Sequence, residues 1–180
     1  AVGGALAALA GAKQRLRAMW SAFGAAYILA PCVALVWLRT TAPNGLALTL
    51  MLFLIVWMAD IGAYFGGRFI GGPRISRALS PEKTWAGVFA GVAMGGVAGA
   101  ASKYWVVGDG ALVSFIIIGA GLGLSSIVGD LAESALKRRF GVKDSSGFIP
   151  GHGGFLDRLD GMIFATVAMT TALFAHMVMK

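Results

Sequence analysis

The chain has 180 residues, of which 58% are hydrophobic and only 13% are charged, and its mean hydropathy is +0.80. Soluble domains carry about a quarter charged residues, so this composition excludes a protein whose surface lies mainly in water. The formal net charge of +7 suits anionic lipid headgroups or anionic substrates, whereas nucleic acid is disfavoured because no basic patch with interleaved aromatic residues is present.

Long apolar runs predict a polytopic bundle of membrane helices, since about 20 apolar residues are needed to cross a bilayer. We predict a partial span at Ala1–Ala12 and full spans at Trp20–Leu38, Leu46–Tyr64, Trp85–Ala101, Leu112–Gly129 and Met162–Met179. At ~1.5 Å per residue, such spans reach about 25–29 Å, close to the hydrocarbon thickness. The expected fold is an all-α integral membrane bundle in which residues 1–180 form a single domain.

The basic residues predict the orientation of the bundle. If the spans alternate, twelve of the fifteen Lys and Arg residues fall on one face of the membrane, in the Ala12–Ser21 loop, the Ile61–Thr84 segment and the segment after Gly129. Only Arg39, Lys103 and Lys180 lie opposite. The positive-inside rule makes the basic face cytoplasmic.

One span has a glycine at every fourth position, namely Gly87, Gly91, Gly95 and Gly99. These glycines form a smooth helix face that another backbone can approach closely. Tight helix packing and a ligand groove are both compatible with this pattern, and packing is the favoured interpretation.

A polar segment, Asp130–Gly161, contains five of the eight carboxylates of the chain. If the preceding span continues as a helix, four of its polar residues share one face, namely Asp130, Glu133, Ser134 and Lys137. Asp157 and Asp160 are one helical turn apart at the start of the last span, and Asp60 lies near the same end of its own span. A carboxylate inside a bilayer costs about 2.5–3.5 kcal/mol, so it normally faces a polar cavity.

Converging carboxylates repel one another unless a cation lies among them, and oxygen ligands without a Cys or His cluster suit Mg²⁺ or Mn²⁺. The cations of the segment, Lys137, Arg138, Lys143 and Arg158, are then expected to bind phosphate oxygens. His152, Gly153 and Gly154 form a glycine-rich turn through which backbone N–H groups can approach phosphate. The alternative for Asp130 and Asp157 is a plain intramembrane ion pair with Lys137 or Arg158.

An upstream segment between the second and third full spans is rich in glycine, proline and basic residues. Its cations include Arg68 and Lys83, which we predict to bind phosphate as well. Taken alone, this pattern also fits a cytoplasmic loop that follows the positive-inside rule.

The residues Ser134–Asp160, SALKRRFGVKDSSGFIPGHGGFLDRLD, resemble the signature of phosphatidate cytidylyltransferases, also called CDP-diacylglycerol synthases. The upstream residues Asp60, Gly67–Arg68, Ser80–Pro81 and Lys83–Thr84–Trp85 are similar to that family as well. Two departures accompany the match. Ala86 stands where many members have an acidic residue, and the chain is shorter than typical members, so we expect a piece that lacks amino-terminal spans.

The resemblance implies the reaction of CTP with phosphatidic acid to give CDP-diacylglycerol and pyrophosphate, with Mg²⁺, at the inner membrane of a bacterium. It implies Asp130, Asp157 and Asp60 as metal ligands. The implied catalytic residues are Asp130, Asp157, Lys137, Arg138 and Asp160. The implied substrate-binding residues are Lys143, Asp144, His152, Gly153, Gly154, Arg158, Ser134, Arg68 and Lys83. A second cation about 3.5–4 Å from the first is compatible with an in-line displacement.

Two other functions stay open at this point. A CTP-dependent polyprenol or phytol kinase shares the nucleotide chemistry but phosphorylates an alcohol, for which His152 is a possible base. An ion-coupled transporter would use Asp60, Asp130 and Asp157 as an ion pathway. Transporters usually bind near the middle of the bilayer, between repeats that are not visible here. The sequence leaves the oligomeric state open, with a homodimer among the options.

Overall fold

The computed structural model describes residues 2–76, 79–106, 110–142, 145–146 and 156–179, of which residues 2–13 and Arg158 are described by their backbone alone. The elements, in chain order, are α1 (Val2–Thr40), α2 (Gly45–Phe69), β1 (Arg74–Ser76), β2 (Ser80–Thr84), α3 (Trp85–Ser102), α4 (Leu112–Arg139), a 3₁₀ turn (Leu156–Arg158) and α5 (Asp160–Val178). The all-α class is thereby confirmed, with one small two-stranded sheet added.

Five helices of the described chain are long and apolar enough to cross a membrane, and they correspond to the five predicted full spans. Many large apolar side chains are exposed on their outer faces; Val33, Phe89 and Ile117, for example, are each about two-thirds exposed. Side chains of this kind are favourable against lipid and unfavourable against water. The chain is therefore an integral membrane protein.

The first helix differs from the prediction. We expected a partial span and a loop at Ala12–Ser21, but α1 continues without a break from Val2 to Thr40. The segment AKQRLRAMW contains neither glycine nor proline and consists mainly of strong helix formers, so its charges do not interrupt the helix. The prediction of a loop was wrong. A cluster of charged residues can mark the end of a membrane-spanning segment while the helix itself continues.

The four-residue glycine pattern serves helix packing. A Cβ at Gly91 would lie 2.9 Å from the carbonyl oxygen of Ala59 in α2, and one at Gly95 would lie 2.7 Å from that of Gly119 in α4. Helix α3 therefore touches α2 and α4 backbone to backbone. The favoured interpretation of these glycines is confirmed.

Helices α2 and α4 both extend beyond the spans predicted for them. The predicted span ended at Tyr64, about one turn after Asp60. Helix α2 instead continues to Phe69, so Asp60 lies more than two turns from its end. Helix α4 continues to Arg139, so the condition under which Asp130, Ser134 and Lys137 share one face is met. Between α2 and α3, the chain forms the antiparallel hairpin β1–β2, in which Arg74 pairs with Thr84. The Thr84 hydroxyl then accepts a 3.2 Å hydrogen bond from the Gly87 N–H and caps α3.

Candidate functional site

Besides Glu82 of β2, four aspartates from four different elements line one cavity of about 780 Å³, which we call the aspartate pocket. They are Asp60 of α2, Asp130 of α4, Asp157 of the 3₁₀ turn and Asp160 of α5. Its basic lining residues are Arg68, Arg74 and Lys83. Sites for small ligands commonly have about 300–1,000 Å³. The pocket therefore joins the acidic and basic groups that the sequence placed far apart in the chain.

Small residues allow α4 and α5 to bring two of these carboxylates together. A Cβ at Gly129 would lie 2.8 Å from the Asp160 carbonyl oxygen, and Gly161 packs directly against Ser126. As a result, the side chains of Asp130 and Asp160 lie within hydrogen-bonding range of each other. Asp160 also accepts a 2.7 Å hydrogen bond from the Gly161 N–H at the start of α5. Each carboxylate has a glycine directly beside it in the sequence, and that is the signal for this close approach.

The hairpin supplies the cation nearest to this carboxylate pair. Lys83 of β2 forms an ion pair with Asp130. Asp60 lies close enough to both groups to interact with them electrostatically. The pairing of Arg74 with Thr84 and the Thr84 cap fix the position of Lys83 at the end of β2. Lys83 is thus held against the Asp130 carboxylate on the wall of the aspartate pocket.

Asp157 has a different set of partners. Its carboxylate accepts a 2.8 Å hydrogen bond from Lys137 Nζ, together with bonds from the backbone N–H of Ser145 at 3.0 Å and the Ser145 hydroxyl at 2.9 Å. The ion pair with Lys137, which the sequence left open as the alternative, is therefore present. Asp157 also anchors Ser145, which belongs to the chain between α4 and the 3₁₀ turn.

Ser134, Lys137 and Arg138 line a second cavity of about 420 Å³, next to the hairpin residues Ser80–Glu82. Ser80, Pro81 and Glu82 line both cavities, so the two are neighbours on either side of β2. Lys137 connects them, because it lines the second cavity and binds Asp157 of the first. Arg138 is exposed at this position.

Several predicted site residues fall outside the part of the chain that the structure describes. They are Lys143, Asp144, His152, Gly153 and Gly154. Arg158 is described by its backbone alone, at the end of the 3₁₀ turn. The substrate-binding roles of these residues stay predictions.

The oxygen ligands of the pocket fit Mg²⁺ through a pair of carboxylates. Within the described residues, no three His, Cys, Asp or Glu side chains are close enough together to hold a metal ion by themselves. Mg²⁺, however, usually takes one or two protein carboxylates and completes its shell with substrate phosphates and water. Asp130 and Asp160 offer such a pair, and two facing carboxylates favour a cation between them. The ligand roles of Asp157 and Asp60 stay predictions.

Two charged residues that were not among the site residues predicted from the sequence lie at the site. Arg74 lines the aspartate pocket from the first residue of β1, directly after the Gly71-Gly72-Pro73 turn. Glu133 is only 2% exposed, and its Oε1 atom lies 3.4 Å from Lys137 Nζ. Lys137 therefore lies between two carboxylates, Glu133 and Asp157. The four-residue spacing of Glu133 and Lys137 is the signal in the sequence, but it also fits an ordinary surface pair.

Comparison with known proteins gives a family match over nearly the whole chain. The model of the cytidylyltransferase family matches residues 4–176. The chain is similar to the phosphatidate cytidylyltransferase of Brucella suis, with 41% identity over 160 residues, which covers 83% of this chain and 55% of the relative.

Two further relatives carry the same name. That of Haemophilus influenzae is 44% identical over 126 residues, covering 68% of this chain and 44% of the relative. The phosphatidate cytidylyltransferase of Pseudomonas aeruginosa is 42% identical over 133 residues, which covers 73% of this chain and 48% of the relative. The chain thus spans about half the length of the curated relatives it matches.

Proposed function

This chain belongs to the cytidylyltransferase family, and we propose that it transfers a cytidylyl group from CTP to phosphatidic acid, giving CDP-diacylglycerol and pyrophosphate. The observation that carries the proposal is the aspartate pocket, in which carboxylates suited to a divalent cation face Arg68, Arg74 and Lys83. Relatives named phosphatidate cytidylyltransferase support the choice of substrates.

The reaction needs positioning more than it needs a base. A phosphate monoester has a second pKa of about 6, so the lipid phosphate is mostly dianionic at neutral pH and is already a nucleophile. One of its oxygens attacks the α-phosphorus of CTP, and the bond from that phosphorus to the β-phosphate oxygen breaks. Pyrophosphate leaves with the electron pair, and no proton has to be removed from the nucleophile.

The difficulty lies in bringing two polyanions together, which cationic side chains make possible by neutralising charge. Arg68 and Arg74 can hold the triphosphate at the mouth of the aspartate pocket, since guanidinium groups bind phosphate oxygens in pairs. Lys83, already against Asp130, is placed to contact a phosphate that enters beside that carboxylate. Lys137 would orient the lipid phosphate from the Asp157 side.

Asp130 and Asp160 would hold Mg²⁺, with Asp60 nearby to balance further positive charge. When bound, the ion neutralises phosphate oxygens and polarises the α-phosphorus. The residues of the chain contribute the geometry, because the glycine contacts between α4 and α5 fix the separation of the two carboxylates.

The location and assembly of the protein are part of the same proposal. The aspartate pocket lies at the end of the bundle that carries Arg68, Arg138 and Arg139, which the positive-inside rule assigns to the cytoplasm. We therefore place the protein in the inner membrane of a bacterium, with the pocket facing CTP in the cytoplasm. A homodimer stays a prediction from the sequence.

The test is an assay in vesicles that contain phosphatidic acid and a polyprenol, with CTP labelled at either the α- or the γ-phosphate. We expect the α-label in the lipid and the γ-label in pyrophosphate, with loss of both in EDTA and recovery on addition of Mg²⁺. Transfer of the γ-label to a lipid alcohol would favour the kinase instead. Absence of any labelled lipid or pyrophosphate in the presence of Mg²⁺ would contradict both enzymes.

A further inference from the structure

A second large cavity lies on the other side of α4, between α1, α4 and α5. It has a volume of about 840 Å³, and we call it the lateral groove. Its lining is mainly apolar and includes Ala26 and Ala30 of α1, Ala132 and Ala135 of α4, and Val167 of α5. The aspartate pocket shares none of these residues.

The depth of the lateral groove matches one leaflet of a bilayer. On α1 it extends from Trp20 to Pro31. Eleven residue steps at ~1.5 Å give about 16 Å, which is half of a hydrocarbon core of about 30 Å. On α4 it extends from Ser125 to Arg139, in the half of that helix that also carries Asp130. The groove therefore lies in the leaflet next to the aspartate pocket.

Positive charge lies only at the end of the groove nearest the membrane surface. Arg139 lines that end, and its guanidinium group lies 5.2 Å from the centre of the Trp20 ring. A smaller cavity of about 270 Å³ continues from there, shares Trp20, Phe23, Tyr27 and Leu136 with the groove, and reaches Lys137. Lys137 in turn contacts Asp157 of the aspartate pocket. A path thus leads from the apolar groove to the site of the chemistry.

Along this path lies a buried polar atom without a protein partner. The Tyr27 hydroxyl is shielded from solvent and makes no hydrogen bond to any described residue. Tyr27 lines both the groove and the smaller cavity. A buried hydroxyl without a hydrogen-bond partner is unfavourable, so an oxygen of a ligand at this position would be stabilising.

We propose that the lateral groove binds an acyl chain of phosphatidic acid. The glycerol ester lies at Tyr27, and the phosphate lies beside Arg139 and Lys137. The lipid then reaches the aspartate pocket from the α1–α5 side, while CTP enters from the side of the hairpin. The inference rests on the proposed function for the identity of the lipid. An anionic headgroup is favoured over a zwitterionic one because Arg139 is the charged residue among the described residues that line the groove.

Neighbouring alanines of α1 provide a matched kinetic test. Ala26 and Ala30 line the groove, whereas Ala25 is equally exposed on the same helix and does not line it. Filling the groove by Ala26→Phe or Ala30→Phe should raise KM for phosphatidic acid roughly tenfold and leave KM for CTP unchanged, as expected for lost ground-state binding. Ala25→Phe should leave both constants unchanged. Equal effects of all three variants on the lipid KM would overturn the inference.

A labelling experiment separates this inference from the proposed function. The full chain in vesicles is exposed to phosphatidic acid or phosphatidylcholine with a photoactivatable acyl chain, and the labelled residues are mapped by mass spectrometry. We expect phosphatidic acid to label α1, α4 and α5 along the groove, and Ala30→Phe to remove that label. Labelling of the groove without any cytidylyl transfer would support the site and contradict the function. Cytidylyl transfer with labelling elsewhere, or equal labelling by both lipids, would contradict the site and leave the function standing.

Discussion

The two faces of α4 illustrate opposite uses of a membrane helix. On one face, Gly119 and Gly123 meet the glycines of α3 backbone to backbone, and Asp130 projects into the aspartate pocket at the end of that tight seam. On the other face, Ala132 and Ala135 border the lateral groove, where α1 and α5 leave about 840 Å³ unfilled.

The difference shows how one bundle can be rigid where charges meet and open where a flexible apolar ligand would bind. Carboxylates of like charge must be held at fixed separation, so their helices need contacts that cannot slide. An acyl chain requires only an apolar surface of the right length. Three predictions, each with a control substitution, test this contrast between the charged site and the groove.

The largest effect is expected at Asp130. Asp130→Asn keeps the size of the side chain but removes the charge from the carboxylate pair and the partner of Lys83. We expect kcat/KM to fall by at least ~10³, about 4 kcal/mol of transition-state stabilisation. Turnover of labelled CTP in vesicles measures the loss. Asp109→Asn, in the connection between α3 and α4, serves as the control and should retain full activity. Comparable turnover of both variants would remove Asp130 from the mechanism.

A smaller effect is expected at Lys83. Lys83→Ala should lower kcat/KM for CTP by roughly 10–100-fold, because a phosphate contact and the neutralisation of Asp130 are both lost. Lys83→Arg keeps the charge and should recover most of that loss. Steady-state kinetics with each substrate varied in turn measures the change. If KM for phosphatidic acid rises instead of that for CTP, the assignment of the two substrates to the two faces of α4 is reversed.

The third prediction concerns the thermal stability of the protein. It compares the tightly packed seam between α3 and α4 with the loosely packed side of the bundle at α1. Gly95→Ala places a Cβ 2.7 Å from the Gly119 carbonyl oxygen and should destabilise the protein by about 1–3 kcal/mol. Gly24→Ala lies on α1 beside the smaller cavity, with no atom within 4 Å of its new Cβ. It should be neutral or stabilising by up to about 1 kcal/mol, because alanine is the better helix former. Thermal unfolding in detergent measures both. A stable Gly95→Ala variant would contradict the tight seam.

Much of the fold and of the site chemistry could be predicted from the order of the residues. Runs of apolar residues located the five helices, and the sequence correctly placed Asp130, Ser134 and Lys137 on one helix face on the condition that α4 continues past Gly129. The glycine spacing within α3 was enough to indicate close packing. A helix face without side chains excludes lipid only when another helix packs directly against it.

The partners of each charged group could not be predicted in the same way. For Asp157 the sequence favoured a metal and kept an ion pair with Lys137 or Arg158 as the alternative, and the structure pairs it with Lys137 and Ser145. Lys83 is 47 residues before Asp130 in the chain, and the packing of α3 against α4 places the preceding strand, with Lys83, beside Asp130. The continuity of α1 was not predicted either, because the charged residues near its middle were interpreted as a loop although they favour a helix.

Hydropathy, helix propensity and the choice of oxygen ligands are properties of short stretches of chain, so the residues alone establish a membrane bundle with acidic and basic groups at one end. Which carboxylate meets which cation, and the existence of a groove between α1, α4 and α5, depend on how closely whole helices approach one another. That approach is set by contacts such as Gly129 against α5, which join residues about 30 positions apart. A glycine beside a carboxylate permits such an approach, but the packing of whole helices determines which residues meet there.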